Sequence, residues 1–392
     1  MLRSFDMTAQ TLHGLERELA KELEAIGAQG IEVSKRAVRF TGDEDVLYRA
    51  NLWLRTALRV LVPLRSFVMR HEDDLYDSVR GISWEKFLRP TGTLAVQCTL
   101  RSELFTHSKY LAQLTKDAIV DRFRERNGRR PSVDVERPDV SIHVLVIGDR
   151  CTVSLDSSGD PLFKRGYRDS TNEAPLNEAL AAGMVLLSGW NGDRPFVDPM
   201  CGSGTLPIEA AMIAGNIPPG SYRTHFGFMG WSDFDPARWE RITEEALDRQ
   251  RAINAIIIGA DQSRATLMKA EENIANAHLG SRIKLERSEF RSLAPPPEAG
   301  VLMMNPPYGE RMDGGDDINA LYKSIGDTLK KNWSGWDAWM ITSNMEAAEH
   351  VRLTAKPRIQ LFNGSLECRF MHYGMYSGSR RAPEPEGPTG TD

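Results

Sequence analysis

The stretch Gly300–Tyr308 constrains the fold of this chain more than any other. Its first part, Gly300–Met304, has the length and apolar composition of a buried parallel β-strand. The sequence Asn-Pro-Pro-Tyr follows at 305–308, and its two prolines cannot donate hydrogen bonds to a sheet. The strand must therefore end there and open into a loop. We expect these four residues, called the tetrad below, at the carboxyl edge of an α/β sheet, where ligands bind.

The tetrad suits the activation of an exocyclic amine on a nucleobase. The lone pair of such an amine is delocalised into the ring, which makes the nitrogen a poor nucleophile. The Asn305 side-chain oxygen and the Pro306 carbonyl can each accept one N–H, which would localise the lone pair. Tyr308 can stack on the base, which is worth roughly 1–3 kcal/mol. The alternative, a Pro-Pro turn in which Tyr308 only fills space, stays open on this stretch alone.

A second stretch, Pro195–Thr205, predicts a ligand-binding turn. A short strand ends near Asp198, and Gly202 and Gly204 allow the backbone to turn tightly and approach a ligand. The dinucleotide-binding fingerprint needs a third glycine three residues further on, but that position is Pro207. Asp198 would repel a pyrophosphate and would suit a cationic amino group. The turn therefore indicates a ligand other than a dinucleotide.

A third element lies between these two. Ala255–Asp261 is an apolar run that ends in an acid, placed to accept hydrogen bonds from ribose hydroxyls. Together, the glycine turn and the tetrad resemble the amino-methyltransferases that use S-adenosylmethionine. The resemblance implies a Rossmann-like α/β domain with Asn305, Pro306 and Tyr308 as catalytic residues. The implied cofactor-binding residues are Asp198, Met200, Gly202, Gly204, Asp261, Gln262, Glu289, Phe290 and Asn305.

One position departs from the pattern of that family. Glu289 stands where the family commonly has Asp. The longer carboxylate can still accept a hydrogen bond from the adenine amine. We therefore keep Glu289 among the expected cofactor contacts.

Composition excludes several classes of protein. No apolar run approaches the roughly 20 residues of a membrane span, and the N-terminus lacks the apolar region of a signal peptide. We therefore expect a cytoplasmic location. The four cysteines lie far apart without clustered histidines, so neither a disulfide framework nor a metal site is expected. The net charge of −5 argues against nucleic-acid binding by bulk charge. Any such surface must be local, and residues 1–170 carry the more basic balance.

The first part of the chain predicts two small α+β units. In the first, strands over Ser4–Thr8 and Val33–Phe40 alternate with helices. The second includes a helix over Ser108–Asn127 and a hairpin turning at Gly148-Asp149. The helix ends in the densest basic stretch of the chain, which contains Arg126, Arg129 and Arg130. These three arginines are candidate phosphate contacts, and a solvated helix face is the equally weighted alternative.

Residues 154–168 and 174–182 resemble the join in THUMP-domain RNA methyltransferases. In that family a ferredoxin-like unit and a THUMP domain precede the catalytic domain. More narrowly, the chain is similar to the bacterial enzymes that methylate a guanine N2 in large-subunit ribosomal RNA. The implied division is a ferredoxin-like unit at 1–60, an RNA-binding THUMP domain at 61–160, and a methyltransferase domain at 165–378. Residues 379–392 have the composition of a disordered tail.

The same resemblance suggests further contacts to RNA. Lys164, Arg165, Arg168 and Arg311 are candidate contacts to the RNA backbone. Asn363 begins the pattern Asn-Gly-x-x-Glu, which the family places beside the pocket. An ordinary hairpin turn is the alternative for that segment.

Three other functions share part of this pattern. A DNA adenine methyltransferase has the tetrad but does not explain the THUMP-like first half. A tRNA guanine-N2 methyltransferase shares both halves and remains the main alternative. An RNA-binding protein with an inactive catalytic domain is disfavoured, because the glycine turn, Asp261 and the tetrad are intact. The sequence therefore predicts an RNA methyltransferase acting on ribosomal RNA, with no expectation for its oligomeric state.

Overall fold

The structure, a computed structural model, describes residues 4–168, 176–309 and 317–376. Two β-sheets organise these residues, and the first precedes the second in the chain. Within the described ranges, no helix is long and apolar enough to cross a membrane. The predicted α/β architecture, preceded by an α+β part, is confirmed. The predicted disordered tail at 379–392 lies outside the described residues.

The first sheet has the strand order β2-β3-β1-β4-β8-β7-β5-β6. Its strands are β1 Phe5–Thr11, β2 Gln29–Ser34, β3 Ala37–Gly42, β4 Ala57–Val68, β5 Thr93–Arg101, β6 Ser132–Val133, β7 Val140–Ile147 and β8 Arg150–Asp156. The accompanying helices are α1 Glu16–Ala25, α2 Glu44–Trp53, α3 Glu72–Arg80 and α4 Ser108–Asn127. Helix α4 ends as predicted, with Gly128 in the left-handed region at φ 65°.

Strand β4 joins the two predicted N-terminal units into one sheet. It pairs with β1 on one side and with β8 on the other, and one hydrophobic core lies beneath both units. The expected boundary between residues 60 and 61 falls inside this strand. The expectation of a single strand over Val33–Phe40 is wrong. That segment contains the turn of the β2–β3 hairpin, where Arg36 adopts a φ of 60° and reverses the chain.

The second sheet has the order β11-β10-β9-β12-β13-β15-β14. Its strands are β9 Phe196–Asp198, β10 Ile257–Asp261, β11 Ile283–Arg287, β12 Val301–Met304, β13 Asp337–Thr342, β14 Arg358–Asn363 and β15 Leu366–Gly374. The helices are α5 Glu178–Leu187, α6 Thr205–Ala214, α7 Pro236–Asp248, α8 Arg264–Asn276, α9 Ile318–Asn332 and α10 Met345–Glu349. Polar side chains cap several of these helices, for example Ser263 on α8 and Asp317 on α9.

The strand order reverses at β9 and β12. From β9 the chain proceeds through β10 to β11 on one side, and then returns to β12 and β13 on the other. All four of these neighbouring pairs are parallel, while β15 and β14 add an antiparallel edge. A ligand-binding crevice forms at such a reversal, outside the carboxyl ends of the strands. The fold therefore predicts a site where Asp198, Asp261 and Met304 end their strands.

The segment between α6 and α7 connects the two halves of the molecule. Phe226, Phe228 and Trp231 follow the glycine-turn helix in sequence, but they are buried in the core of the first sheet. The Phe228 ring stacks on Tyr48 of α2, with ring centroids 4.4 Å apart. Burying these aromatic rings contributes strongly to an interface, because each removes a large apolar area from water. The two halves therefore share a packed interface.

Candidate active site

A cavity of about 660 Å³ lies at the reversal point of the second sheet. Its walls come from the segments that follow β9, β10, β11 and β12, together with α9 and the β14–β15 hairpin. The sequence-predicted residues that line it are Met200, Gly202, Asp261, Gln262, Glu289, Phe290, Asn305, Pro306, Tyr308 and Asn363. The fold thus brings the glycine turn and the tetrad into one cavity.

The glycine turn and the end of β10 form one hydrogen-bonded unit. The backbone N–H of Gly202 donates to Asp261 Oδ2 at 3.2 Å, and the N–H of Ser263 donates to Oδ1 at 2.8 Å. Each carboxylate oxygen keeps a second acceptor position, directed by these two bonds. Gly202 has a φ of 54°, and a Cβ added to it would meet nothing within 4 Å. The backbone therefore leaves open space at the position where a side chain would stand.

Two residues predicted to contact the ligand do not line the cavity. Asp198 is 1% exposed, and its Oδ1 accepts a hydrogen bond from the Met200 N–H at 3.1 Å. Burial raises the pKa of Asp198 well above its usual range, and the nearby Asp261 carboxylate adds to the effect. Gly204 begins α6 at a φ of 84°, and a Cβ there would lie 3.3 Å from Ala270 on α8. In this structure both residues shape the turn from behind the cavity wall.

The tetrad loop is held in place by hydrogen bonds to its backbone and between its side chains. The Tyr322 hydroxyl donates to the Pro307 carbonyl at 3.1 Å, and the Asn344 amide donates to the Tyr308 carbonyl at 2.9 Å. Within the tetrad, the Tyr308 hydroxyl donates to Asn305 Oδ1 at 2.7 Å. Burial raises the pKa of Tyr308, so its hydroxyl stays protonated and can donate. The Asn305 oxygen is therefore presented to a hydrogen-bond donor inside the cavity.

The β14–β15 hairpin forms the wall beside the tetrad. Asn363 ends β14 and Leu366 begins β15, and both line the cavity. Further along β15, the Cys368 thiol lies 3.9 Å from the Tyr308 hydroxyl. The hairpin is thus in contact with the tetrad, and Asn363 lies where it could meet a substrate.

The arginines expected to contact RNA at the join are mostly buried. The Arg165 side chain is 1% exposed, forms an ion pair with Glu209 at 3.3 Å and donates to the Arg55 carbonyl at 2.6 Å. Arg168 pairs with Glu178 at 3.3 Å, and its side chain is 10% exposed. The expectation that Arg165 contacts RNA is wrong for this structure, because its guanidinium group is buried against Glu209 of α6. Arg168 is paired with Glu178 of α5, and its contact with RNA stays a prediction.

The other predicted RNA contacts are in different settings. The Lys164 side chain is exposed and pairs with Asp160 at 3.1 Å. Arg311 lies outside the described residues. Arg126, Arg129 and Arg130 are all exposed at the end of α4, on the first sheet and away from the cavity wall. Their role in RNA binding stays a prediction.

The cavity is also lined by residues that were not among the predicted contacts. These are Pro199, Ser288, Arg291, Pro307, Gly309, Leu321, Ser324, Ile325 and Leu366. Ser288 and Arg291 flank Glu289 and Phe290, so their position next to predicted contacts was a usable signal. Leu321, Ser324 and Ile325 lie on α9 and belong to no sequence motif. Only the tertiary packing of this helix places them at the cavity, so no signal in the sequence pointed to them.

Fold and cavity together define a class, the Rossmann-like methyltransferases that use S-adenosylmethionine. Three family models match the chain. The RMKL-like methyltransferase domain matches residues 165–372, the THUMP domain 69–156, and the RlmL ferredoxin-like domain 6–61. The chain belongs to the RMKL-like methyltransferase family. The predicted family resemblance, fold class and cofactor are thereby confirmed.

Individual relatives agree with this assignment. A ribosomal RNA large subunit methyltransferase K/L of Syntrophotalea carbinolica is 42% identical over 371 residues, which are 92% of this chain and 52% of that protein. The chain thus spans about half the length of this curated relative.

Solved structures resemble the chain over nearly its whole length. The crystal structure of SMU.472, provisionally assigned as a methyltransferase and complexed with S-adenosylhomocysteine, has a TM-score of 0.86 at 31% identity. The match covers 97% of this chain and all of that one. A Listeria monocytogenes protein, described as a predicted N6-adenine-specific DNA methylase, has a TM-score of 0.84 at 32% identity over 95% of this chain and 96% of that one.

Proposed function

We propose that this chain transfers a methyl group from S-adenosylmethionine to the N2 amine of a guanine in large-subunit ribosomal RNA. The observation that carries the proposal is the single cavity shared by the glycine turn, Asp261 and the tetrad. The choice of RNA is supported by the THUMP match and by the name of the Syntrophotalea relative. On the same grounds we infer a cytoplasmic location.

The residues on one side of the cavity fit the cofactor. When bound, S-adenosylmethionine supplies a methyl group on a sulfonium, which a nitrogen can attack in line. Asp261 offers two held carboxylate oxygens to vicinal hydroxyls, and Gly202 leaves room for close approach of a ligand. Phe290 presents an apolar surface, and the carboxylate of Glu289 beside it can accept from an adenine amine. Met200 and Gln262 complete this side.

The tetrad side fits the target base. Asn305 Oδ1 and the Pro306 carbonyl would each accept one N–H of the amine, which aims its lone pair across the cavity. In this structure the Tyr308 hydroxyl occupies the Asn305 oxygen at 2.7 Å. The second lone pair of that oxygen can accept the N–H of the base, and the Tyr308 ring can stack on the base. A methylated amine loses its extra proton readily, so positioning and polarisation are the main work of the protein.

The first sheet would hold the rest of the RNA. A guanine N2 is engaged in base pairs, so the target must be unpaired or flipped out to reach the cavity. Arg126, Arg129 and Arg130 are exposed and can contact phosphates, as can Lys164 near the join. Asn363 can contact the base or its neighbours from the cavity wall.

Mass spectrometry of methylated RNA tests this proposal. Ribosomal RNA and tRNA from a strain lacking the protein are incubated with the purified chain and isotopically labelled S-adenosylmethionine, then digested to nucleosides. We expect labelled N2-methylguanosine in large-subunit ribosomal RNA, and far less of it at the same reaction time with the Asn305→Ala variant. Label confined to tRNA would favour the tRNA guanine-N2 alternative. Label on adenine would contradict the assignment of the base.

A further inference from the structure

A turn of the N-terminal half is built into the catalytic domain. Residues 12–15, between β1 and α1, are called the docking turn here. Leu12 and Leu15 at its two ends are buried in the core of the second sheet, although β1 belongs to the first. At Gly14, which has a φ of 91°, an added Cβ would lie 2.6 Å from the Gln360 carbonyl oxygen. The docking turn therefore packs directly against the backbone of β14, and at Gly14 there is no room for a side chain.

The docking turn has a defined shape and a second contact with the same strand. The Glu16 carboxylate accepts a hydrogen bond from the Gly14 N–H at 2.8 Å and another from the Arg36 N–H at 3.0 Å. These bonds tie the turn to the β2–β3 hairpin of the first sheet. The His13 ring meets the Phe362 ring edge-on, with centroids 5.6 Å apart. The turn thus presents a fixed surface to β14.

The strand that it contacts is the edge of the second sheet. Among the described strands, β14 is hydrogen-bonded only to β15. An edge strand lacks a second neighbour to hold its position, and the docking turn packs against this one at Gln360 and Phe362. The turn end of this hairpin carries Asn363 and Leu366 in the cavity wall, and Cys368, the cross-strand partner of Leu361, lies beside the Tyr308 hydroxyl. A shift of β14 would therefore move the wall against which the tetrad is set.

We propose that the docking turn positions the β14–β15 hairpin for methyl transfer, with His13 and Gly14 as positioning residues. The inference rests on the proposed function and deepens it, because it makes the N-terminal half part of the active-site architecture as well as an RNA-binding surface. Neither residue lines the cavity, so each acts only through the hairpin. Their effect should appear in the rate of transfer at saturating substrate, and binding should change little.

Two glycines with nearly equal φ angles provide the test. Gly14 and Gly27 lie at opposite ends of α1 with φ of 91° and 90°, so alanine at either position must adopt a positive φ that L residues disfavour. A Cβ at Gly27 meets nothing within 4 Å, whereas one at Gly14 displaces β14. We expect Gly14→Ala to lower the single-turnover rate about tenfold to a hundredfold, as small misplacements of reacting groups do. Gly27→Ala should keep the parental rate, and both should bind S-adenosylmethionine and large-subunit ribosomal RNA like the parent.

Two further measurements keep the inference testable if an alanine at Gly14 impairs folding or if the RNA assay fails. His13→Ala should slow transfer, and His13→Phe should restore it, because phenylalanine keeps the ring contact with Phe362. Hydrogen exchange over residues 358–374 needs no substrate, and it should be faster in Gly14→Ala than in Gly27→Ala. Equal exchange in these two variants would overturn the inference whatever the substrate is. Parental transfer rates in Gly14→Ala and His13→Ala would overturn it as well, while a parent inactive on ribosomal RNA would count against the proposed function alone.

Discussion

The catalytic cavity, with the join beneath it, and the basic end of α4 are built in opposite ways. The cavity collects residues from four strand ends, and the join is fixed by the fully buried pair of Arg165 and Glu209. At the end of α4, the Arg126 side chain is 62% exposed, and its guanidinium lies 3.8 Å from the Glu85 carboxylate. Exposed pairs contribute about 0–1 kcal/mol because water and salt screen them. An arginine charge is therefore buried in an ion pair in one region and left exposed to solvent in the other.

The largest effect is expected at the join. Burial disfavours the charged Arg165 guanidinium, but the Glu209 carboxylate outweighs this and raises the pKa of Arg165. Arg165→Ala would leave Glu209 buried without its main partner, which should cost about 3–5 kcal/mol of stability. Urea denaturation measures the loss. The double variant Arg165→Met with Glu209→Leu removes both charges and should recover most of it. A loss below about 1 kcal/mol would place this pair with the screened pairs of the surface.

The next largest effect is expected in the rate of methyl transfer. Asn305→Ala removes the oxygen that polarises the amine mainly in the transition state, so the single-turnover rate should fall about 100-fold to 1,000-fold. The affinity for RNA and the midpoint of thermal unfolding should stay near the parental values. Tyr308→Phe keeps the stacking ring and removes the hydroxyl that occupies Asn305 Oδ1, so it should retain most activity. Transfer at the parental rate by Asn305→Ala would contradict the role assigned to the tetrad.

A smaller effect is expected for the cofactor. Asp261→Ala removes both carboxylate oxygens at the end of β10 and should weaken S-adenosylmethionine binding by roughly 1.5–3 kcal/mol, as for a charge-assisted hydrogen bond. Asp261→Asn keeps one oxygen acceptor, so its affinity for S-adenosylmethionine should lie between those of Asp261→Ala and the parent. Titration calorimetry measures both. Unchanged affinity in Asp261→Ala would place the ribose elsewhere in the cavity.

The sequence predicted the site residues that belong to short contiguous motifs. The tetrad and the glycine turn are contiguous, and proline or glycine at fixed positions dictates a strand end or a tight turn. The sequence did not reveal the burial of Arg165, because its partner Glu209 is on α6 and is brought close only by the tertiary packing of the join against that helix. A charged residue beside a glycine and a tyrosine looks solvent-exposed in sequence. Burial of an ion pair depends on tertiary structure, so neither partner revealed it alone.

The same limit applies to the cavity wall and the N-terminal half. Ser324 lines the cavity from α9, and the docking turn reaches β14 from another sheet. Such contacts join residues that are far apart in sequence, and no periodicity encodes them. The β2–β3 hairpin was missed for a different reason. Its turn uses Arg36 at positive φ, where asparagine or glycine would have been the recognisable signal.

The smallest effect is expected at the basic end of α4. Replacing Arg126, Arg129 and Arg130 with alanine removes exposed charges, so stability and cofactor affinity should be unchanged. If these residues contact phosphates, the slope of log affinity against log salt should decrease in magnitude by about 0.7 per lost contact with single-stranded RNA.

The matched control replaces three exposed residues of the catalytic domain with alanine, which changes the net charge by the same amount. These are Arg282 before β11 and Lys330 and Lys331 near the end of α9. Filter binding across a salt series compares the two triple variants. A decrease in slope confined to the α4 variant would show a phosphate contact, because bulk charge acts in both. Equal slopes in the parent and both variants would make the end of α4 a solvated helix face.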